Sequence, residues 1–174
     1  MNVVLIGYRG SGKTSIGKKL ASALWLDFLD IDAEICRRFE GRTVAQIWDE
    51  FGEPAFREVE EKVVREACQR DRQVIALGGG TLMQPDARGA IEQASDTRRI
   101  YLACQPQELS RRIEADTASA GSRPNLTRLA GGVEEIRAML EQREPVYQAV
   151  ADHTLDVTHL SIDAASQYLL RHYL

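Results

Sequence analysis

Apolar residues fall along this chain in two alternating rhythms. Short apolar-rich runs, Val3 to Ile6, Leu26 to Ile31, Gln73 to Leu77, Arg99 to Ala103 and Thr154 to Val157, have the length of strands. Between them the spacing turns helical. A helix is predicted from Lys13 to Leu24-Trp25, and Ile35, Cys36 and Phe39 return at helical intervals. A further helix from Val44 to Phe51 takes Thr43 as its N-cap. Gly52-Glu53-Pro54 breaks the pattern. From Ala55 to Arg70 it resumes, with Phe56, Val59, Val63 and Ala67 on one face. Pro85 to Ala94, Pro106 to Glu114, Val133 to Val150 and Asp163 to Tyr173 complete the helices. Pro85 suits a first turn, and Pro145 is expected to kink its helix or split off the last turn. Asp116 to Thr127 is polar, rich in small residues, and reads as a mobile stretch.

Strand and helix alternate five times, which predicts a parallel sheet covered by helices on both faces. Ligands in such sheets sit beyond the carboxyl ends of the strands. That rule brings Gly7 to Thr14, Asp30 with Asp32, and Gly78 to Gly80 into one neighbourhood. The segments 33–70 and 116–127 become flaps over it.

The first of these stretches, Gly7-Tyr8-Arg9-Gly10-Ser11-Gly12-Lys13-Thr14, fits G-x-x-x-x-G-K-[ST] between a strand and a helix. Its glycines let successive N–H groups point inward and form an anion nest at a helix N-terminus. Lys13 would reach the β- and γ-phosphates of a nucleoside triphosphate, and the Thr14 hydroxyl would ligate Mg²⁺. Asp30-Ile31-Asp32 ends the second strand, where alternation puts both carboxylates on the same side. The third strand ends in glycines, not in a metal-orienting Asp, so Asp30 is the nearest acid for the metal's outer shell. Asp32 is then free to orient a substrate hydroxyl or take its proton. Either acid could instead cap the helix that follows.

Gly78-Gly79-Gly80 reads as backbone that a ligand approaches closely, against the alternative of a tight turn. Arg57 opens a helix, where a cation is mildly unfavourable, and a salt bridge to Glu60 or Glu61 is its plain structural role. Arg143 precedes Pro145 and could equally be a solvated surface charge. Converging on a pocket, the two arginines would grip a carboxylate. Arg123, before Pro124, could reach the γ-phosphate as an arginine finger. Arg9 is open between phosphate neutralisation and solvent.

Bulk properties narrow the class. The 174 residues suit one domain, and a net charge of −4 argues against a nucleic-acid binder. Cys36, Cys68 and Cys104 form no C-x-x-C pair, so they read as small apolar residues in a reducing cytoplasm, without zinc or disulfides. No apolar stretch approaches a membrane span, and the first strand starts almost at Met1, leaving no room for a signal peptide.

Taken together, Gly7 to Thr14, Asp30-Ile31-Asp32, Gly52-Glu53 with Phe56-Arg57, Gly78 to Gly80, Arg123-Pro124 and Arg143-x-Pro145-x-Tyr147 resemble the shikimate kinase family, over essentially the whole chain. The resemblance implies a single P-loop domain over 1–174, like that of the nucleoside monophosphate kinases. It would be a three-layer α/β/α fold with a five-stranded parallel sheet in order 2-3-1-4-5. Residues 33–70 would be a substrate-binding flap and 112–127 a lid. It implies ATP-dependent phosphorylation of the 3-hydroxyl of shikimate in aromatic amino-acid biosynthesis, by a cytoplasmic monomer.

Carried over by position, the nucleotide-binding set is Gly10, Ser11, Gly12, Lys13, Thr14 and Ser15 with Arg123. The adenine-stacking arginine falls on Arg111 or Arg112, and Arg112 joins the nucleotide set. Substrate contacts fall on Asp32, Arg57, Gly79, Gly80 and Arg143, the metal positions on Thr14 and Asp30, and catalysis on Lys13, Asp32 and Arg123. The stretch Ile113 to Ser122 is long for this pattern, and Asn125 stands where an apolar residue is usual. A gluconate kinase or a nucleoside monophosphate kinase is the nearest alternative. A GTP-dependent switch would need an Asn-Lys-x-Asp motif, which the chain lacks.

Overall fold

The computed structural model describes residues 1–116 and 132–174. Its spine is β1 (Asn2–Ile6), in which Val3 to Ile6 are almost wholly buried. Successive strand side chains face opposite ways, so a strand buried at every position needs cover on both faces. The helix α1 (Lys13–Leu24) supplies part of that cover, and Gly17 brings it close to Leu5 and Phe28.

The remaining strands are β2 (Asp27–Asp30), β3 (Gln73–Ala76), β4 (Thr97–Ala103) and β5 (His153–Asp156). All pair in parallel, in the order β2-β3-β1-β4-β5. This is the expected order. The chain's connections diverge on either side of β1, so a crevice opens beyond its carboxyl end, where the phosphate loop begins.

Two expectations need correction at element boundaries. The second strand stops at Asp30, and Ile31 already belongs to α2 (Ile31–Arg38). Asp30 is extended and its Oδ1 accepts the Ala33 N–H at 3.1 Å, a helix cap that wins over the strand preference of Ile31. Asp30 and Asp32 therefore do not alternate along a strand; Asp32 rides the first turn of α2. Nor does Pro145 split its helix, since α6 (Gly132–Val150) runs through it. Pro145 and Glu141, whose carbonyl loses a donor, are both exposed, so water can serve that carbonyl.

The break at Gly52 is real. It divides α3 (Val44–Cys68) with φ 84° and ψ 159°, a backbone state that other residues reach only under strain. Thr43 caps the first half in a reciprocal capping box with Gln46, and Pro54 begins the second half, where no N–H is required. The other elements are a 3₁₀ turn (Thr81–Met83), α4 (Pro85–Gln93), α5 (Pro106–Ala115) and α7 (Ile162–His172). Cys104 is buried, and Cys36 and Cys68 are half-buried, all three as free thiols.

Candidate active site

The phosphate loop is built by two left-handed glycines. Gly10 has φ 85° and Gly12 φ 93°, and Gly12 is the N-cap of α1. Lys13 folds back over this loop, its Nζ donating to the carbonyls of Gly7 at 2.7 Å and Tyr8 at 2.9 Å. Ser11 Oγ is buried with no hydrogen-bond partner among the described residues, at the point where a nest would receive an anion. Thr14 and Ser15 are exposed at the start of α1.

Asp30 does two jobs. While Oδ1 caps α2, Oδ2 accepts the Thr14 hydroxyl at 2.7 Å. A hydroxyl and a carboxylate side by side are hard oxygen donors of the kind Mg²⁺ prefers. Among the described residues no cluster of three or more metal-ligating side chains exists.

Beside the loop lies a cavity of about 240 Å³. Asp32, Arg57, Gly79, Gly80 and Arg143 all line it, together with Tyr8 and Arg9 from the phosphate loop. Elements far apart in sequence thus deliver the candidate substrate groups to one place. Arg9, open from the sequence, belongs to the cavity wall, as do Val44, Trp48 and Phe56 from α3.

The glycine turn explains itself through these neighbours. A methyl on Gly78 would lie 2.5 Å from Asp32 Oδ1, and one on Gly80 would lie 3.0 Å from Arg57 Nη2. At Gly79 the same methyl would meet Arg143 Nη1 at 3.4 Å, an ordinary contact. The site's own side chains therefore crowd Gly78 and Gly80. The turn reading holds too, with the Thr81 N–H on the Gly78 carbonyl at 3.2 Å.

Arg57 makes the structural salt bridge and also lines the cavity. Its Nη1 donates to Glu60 Oε2 at 2.7 Å, and Nε and Nη2 share Glu53 Oε1 at 3.1 Å. Its guanidinium also lies over the rings of Phe56 and Trp48, at 5.3 and 5.7 Å. Glu60 is only 1% exposed. Burial raises its pKa above the ordinary carboxylate value, opposed by the Arg57 charge and the Thr81 hydroxyl. The sequence marked Glu60 only as a salt-bridge partner; its three-residue spacing from Arg57 was the available signal.

Arg143 is not a surface charge. It is 7% exposed, lies 5.8 Å over the Tyr8 ring, and its buried Nε has no hydrogen-bond partner among the described residues. Glu135, also buried on the cavity wall, had no sequence signal beyond its place on α6.

Arg112 Nη2 donates to the carbonyls of Val157 at 2.8 Å and Thr158 at 3.3 Å, tying α5 to the loop after β5. Arg111 is exposed and paired with Glu108. Of the two, Arg112 reaches that loop. Arg123, with most of the segment 112–127 expected to be a lid, lies outside the described residues.

Comparison with known proteins gives one answer. The family model described as shikimate kinase matches residues 9–173. The shikimate kinase of Thermobifida fusca is 38% identical over 97% of this chain and 92% of its own length. That of Mycobacterium avium is 40% identical over 96% and 90%. The shikimate kinase from Acinetobacter baumannii in complex with shikimate superposes with a TM-score of 0.85 at 32% identity, covering 98% of this chain and 90% of that one.

Proposed function

The chain belongs to the shikimate kinase family, and we propose that its cavity holds shikimate while the phosphate loop presents ATP to it. The reaction is ATP-dependent phosphorylation of shikimate at its 3-hydroxyl, a step of aromatic biosynthesis. What carries the reading is one juxtaposition. Asp32, Arg57, Gly79, Gly80 and Arg143 line a single cavity whose wall includes Tyr8 and Arg9 of the phosphate loop.

Arg57 and Arg143 grip the substrate carboxylate, and the backbone of Gly79 and Gly80 offers donors to its oxygens. Asp32 orients the acceptor hydroxyl or takes its proton. Lys13 exchanges its two loop carbonyls for phosphate oxygens and stabilises charge on the moving phosphoryl, aided by Arg123. Gly10 to Ser15 cradle the triphosphate, and Arg112 flanks the adenine. Thr14 would ligate Mg²⁺ and Asp30 would orient its outer shell, and the ion when bound would neutralise phosphate charge. Residues 33–70 act as the substrate flap and 112–127 as the lid, which together exclude water from the transfer. The protein works in the cytoplasm.

A coupled assay of ADP release with shikimate, gluconate and AMP in parallel tests the assignment. Turnover is expected with shikimate alone; preference for gluconate or AMP overturns it.

A further inference from the structure

The turn after β3 buries a polar side chain against the cavity's carboxylates. Thr81 is completely buried, and its Oγ1 donates to Glu60 Oε1 at 2.6 Å. The other oxygen of the same carboxylate accepts Arg57 Nη1 at 2.7 Å. A methyl placed on Gly78 would lie 2.5 Å from Asp32 Oδ1, 3.0 Å from Thr81 Oγ1 and 3.2 Å from Glu60 Oε1. Three oxygens thus converge on one point, and two of them belong to carboxylates of like charge.

A buried carboxylate must have its oxygens hydrogen-bonded to stay ionised and in place. Arg57 serves Oε2. Oε1 faces the Asp32 side, where its neighbour is another acceptor, and a hydroxyl proton is what that position requires. Threonine supplies it from a β-branched side chain with few rotamers, so the position of the hydroxyl oxygen is fixed by packing and its proton turns to the nearest acceptor. Glu60 in turn fixes Arg57, whose Nη1 and Nη2 stand 3.1 and 3.0 Å from where a methyl on Gly80 would sit.

We propose that Thr81 is a positioning residue for the substrate carboxylate clamp, pinning Glu60 so that Glu60 holds Arg57 over Gly80. Thr81 touches neither substrate nor nucleotide; its effect passes through Glu60. The proposal rests on the reading of the cavity as the shikimate site.

Steady-state kinetics of Thr81→Val and Thr81→Ser test it. Valine keeps the shape and removes the proton. The KM for shikimate is expected to rise about tenfold, as for loss of one hydrogen bond to a charged acceptor, with the KM for ATP within about twofold of wild type. Serine restores the proton and is expected to stay within about threefold of wild type. In a Glu60→Leu background Thr81→Val should add less than about twofold, because the acceptor it orients is gone.

An unchanged shikimate KM in Thr81→Val overturns the proposal. So does an equal effect in the Glu60→Leu background, or failure of serine to rescue, which would assign the effect to methyl packing. If Thr81→Val does not fold, Thr81→Cys, of similar volume and a weak donor, replaces it with the same outcomes. Wild-type protein that does not phosphorylate shikimate would defeat the cavity assignment itself. Active wild type with an indifferent Thr81→Val defeats the role of Thr81 alone.

Discussion

The phenol of Tyr147, on α6, donates its proton to the carbonyl of Gly79, in the turn after β3. Burial pushes the Tyr147 pKa up to about 12, so the donor is present throughout the neutral range. Arg143 lies one turn earlier on the same helix. The bond therefore sets α6 against the glycine turn, and with it a guanidinium against the backbone donors beside it.

Tyr147→Phe leaves the Gly79 carbonyl without this partner. Unfolding in urea should show a loss of about 1–3 kcal/mol. The KM for shikimate should rise several-fold with the KM for ATP unchanged. A variant with wild-type stability and kinetics would show that the contact is incidental.

Asp32→Asn keeps the shape of the side chain and removes its basicity. Turnover should fall by about 100-fold or more, the usual scale for a lost general base. ATP affinity, measured by calorimetry, should move by less than a factor of about two, since Asp32 lies outside the phosphate loop. Near-normal turnover would remove Asp32 from the chemistry.

Arg57→Ala should raise the KM for shikimate and also destabilise the fold. It strands Glu60, which is 1% exposed, without its cation. Breaking such a buried pair costs about 3–5 kcal/mol. Adding Glu60→Gln should recover part of the melting temperature but not the KM. Recovery of neither would mean that Arg57 supports the fold by packing alone. Arg143→Ala should raise the KM for the acid as well, and unchanged values in both variants would leave the carboxylate clamp without support.

The pH dependence of stability should show two opposite contributions. Hydrogen bonds from Arg37 and Arg38 hold Glu34 at about 2, and those from Arg111 and Arg112 do the same for Glu108. Both values are depressed, so the stability they contribute is complete above about 4.5 and is lost as pH falls towards 2. These pairs are near solvent, so the effect is small and weakens in salt. Glu60 runs the other way. Its raised pKa makes ionisation a cost at neutral pH, relieved as pH falls through its folded value. Thermal melts between pH 7 and 2.5 should show a shallower acid limb in Glu34→Gln and in Glu108→Gln. An unchanged limb in both would mean that the arginine pairs do not hold in solution.

The nucleotide half of the site was readable because its parts are neighbours in the chain. Strand, glycine loop, Lys13 and Thr14 occupy one continuous stretch, and their local geometry follows from residue type. Asp30 could be read only in part. One of its oxygens caps α2, as the capping reading expects, and the other accepts the hydroxyl of Thr14, the residue expected to ligate the metal. The strand assigned through Ile31 failed because a capping bond, formed within three residues, ended it first. Pro145 did not split its helix, because it and Glu141 lie on the exposed face, where water can serve the freed carbonyl.

By itself the sequence determined the alternation of strands and helices, the phosphate loop, and the residue types that make a carboxylate and hydroxyl site conceivable. These follow from backbone preferences and hydrophobic spacing, which act over a few residues. Only the tertiary structure decided that Arg143 is buried, that Arg57 serves a salt bridge and a cavity at once, and that Gly78 and Gly80 are small to admit Asp32 and Arg57. Those outcomes depend on side chains brought together from distant elements by packing of the sheet and its helices. No spacing along the chain encodes such contacts.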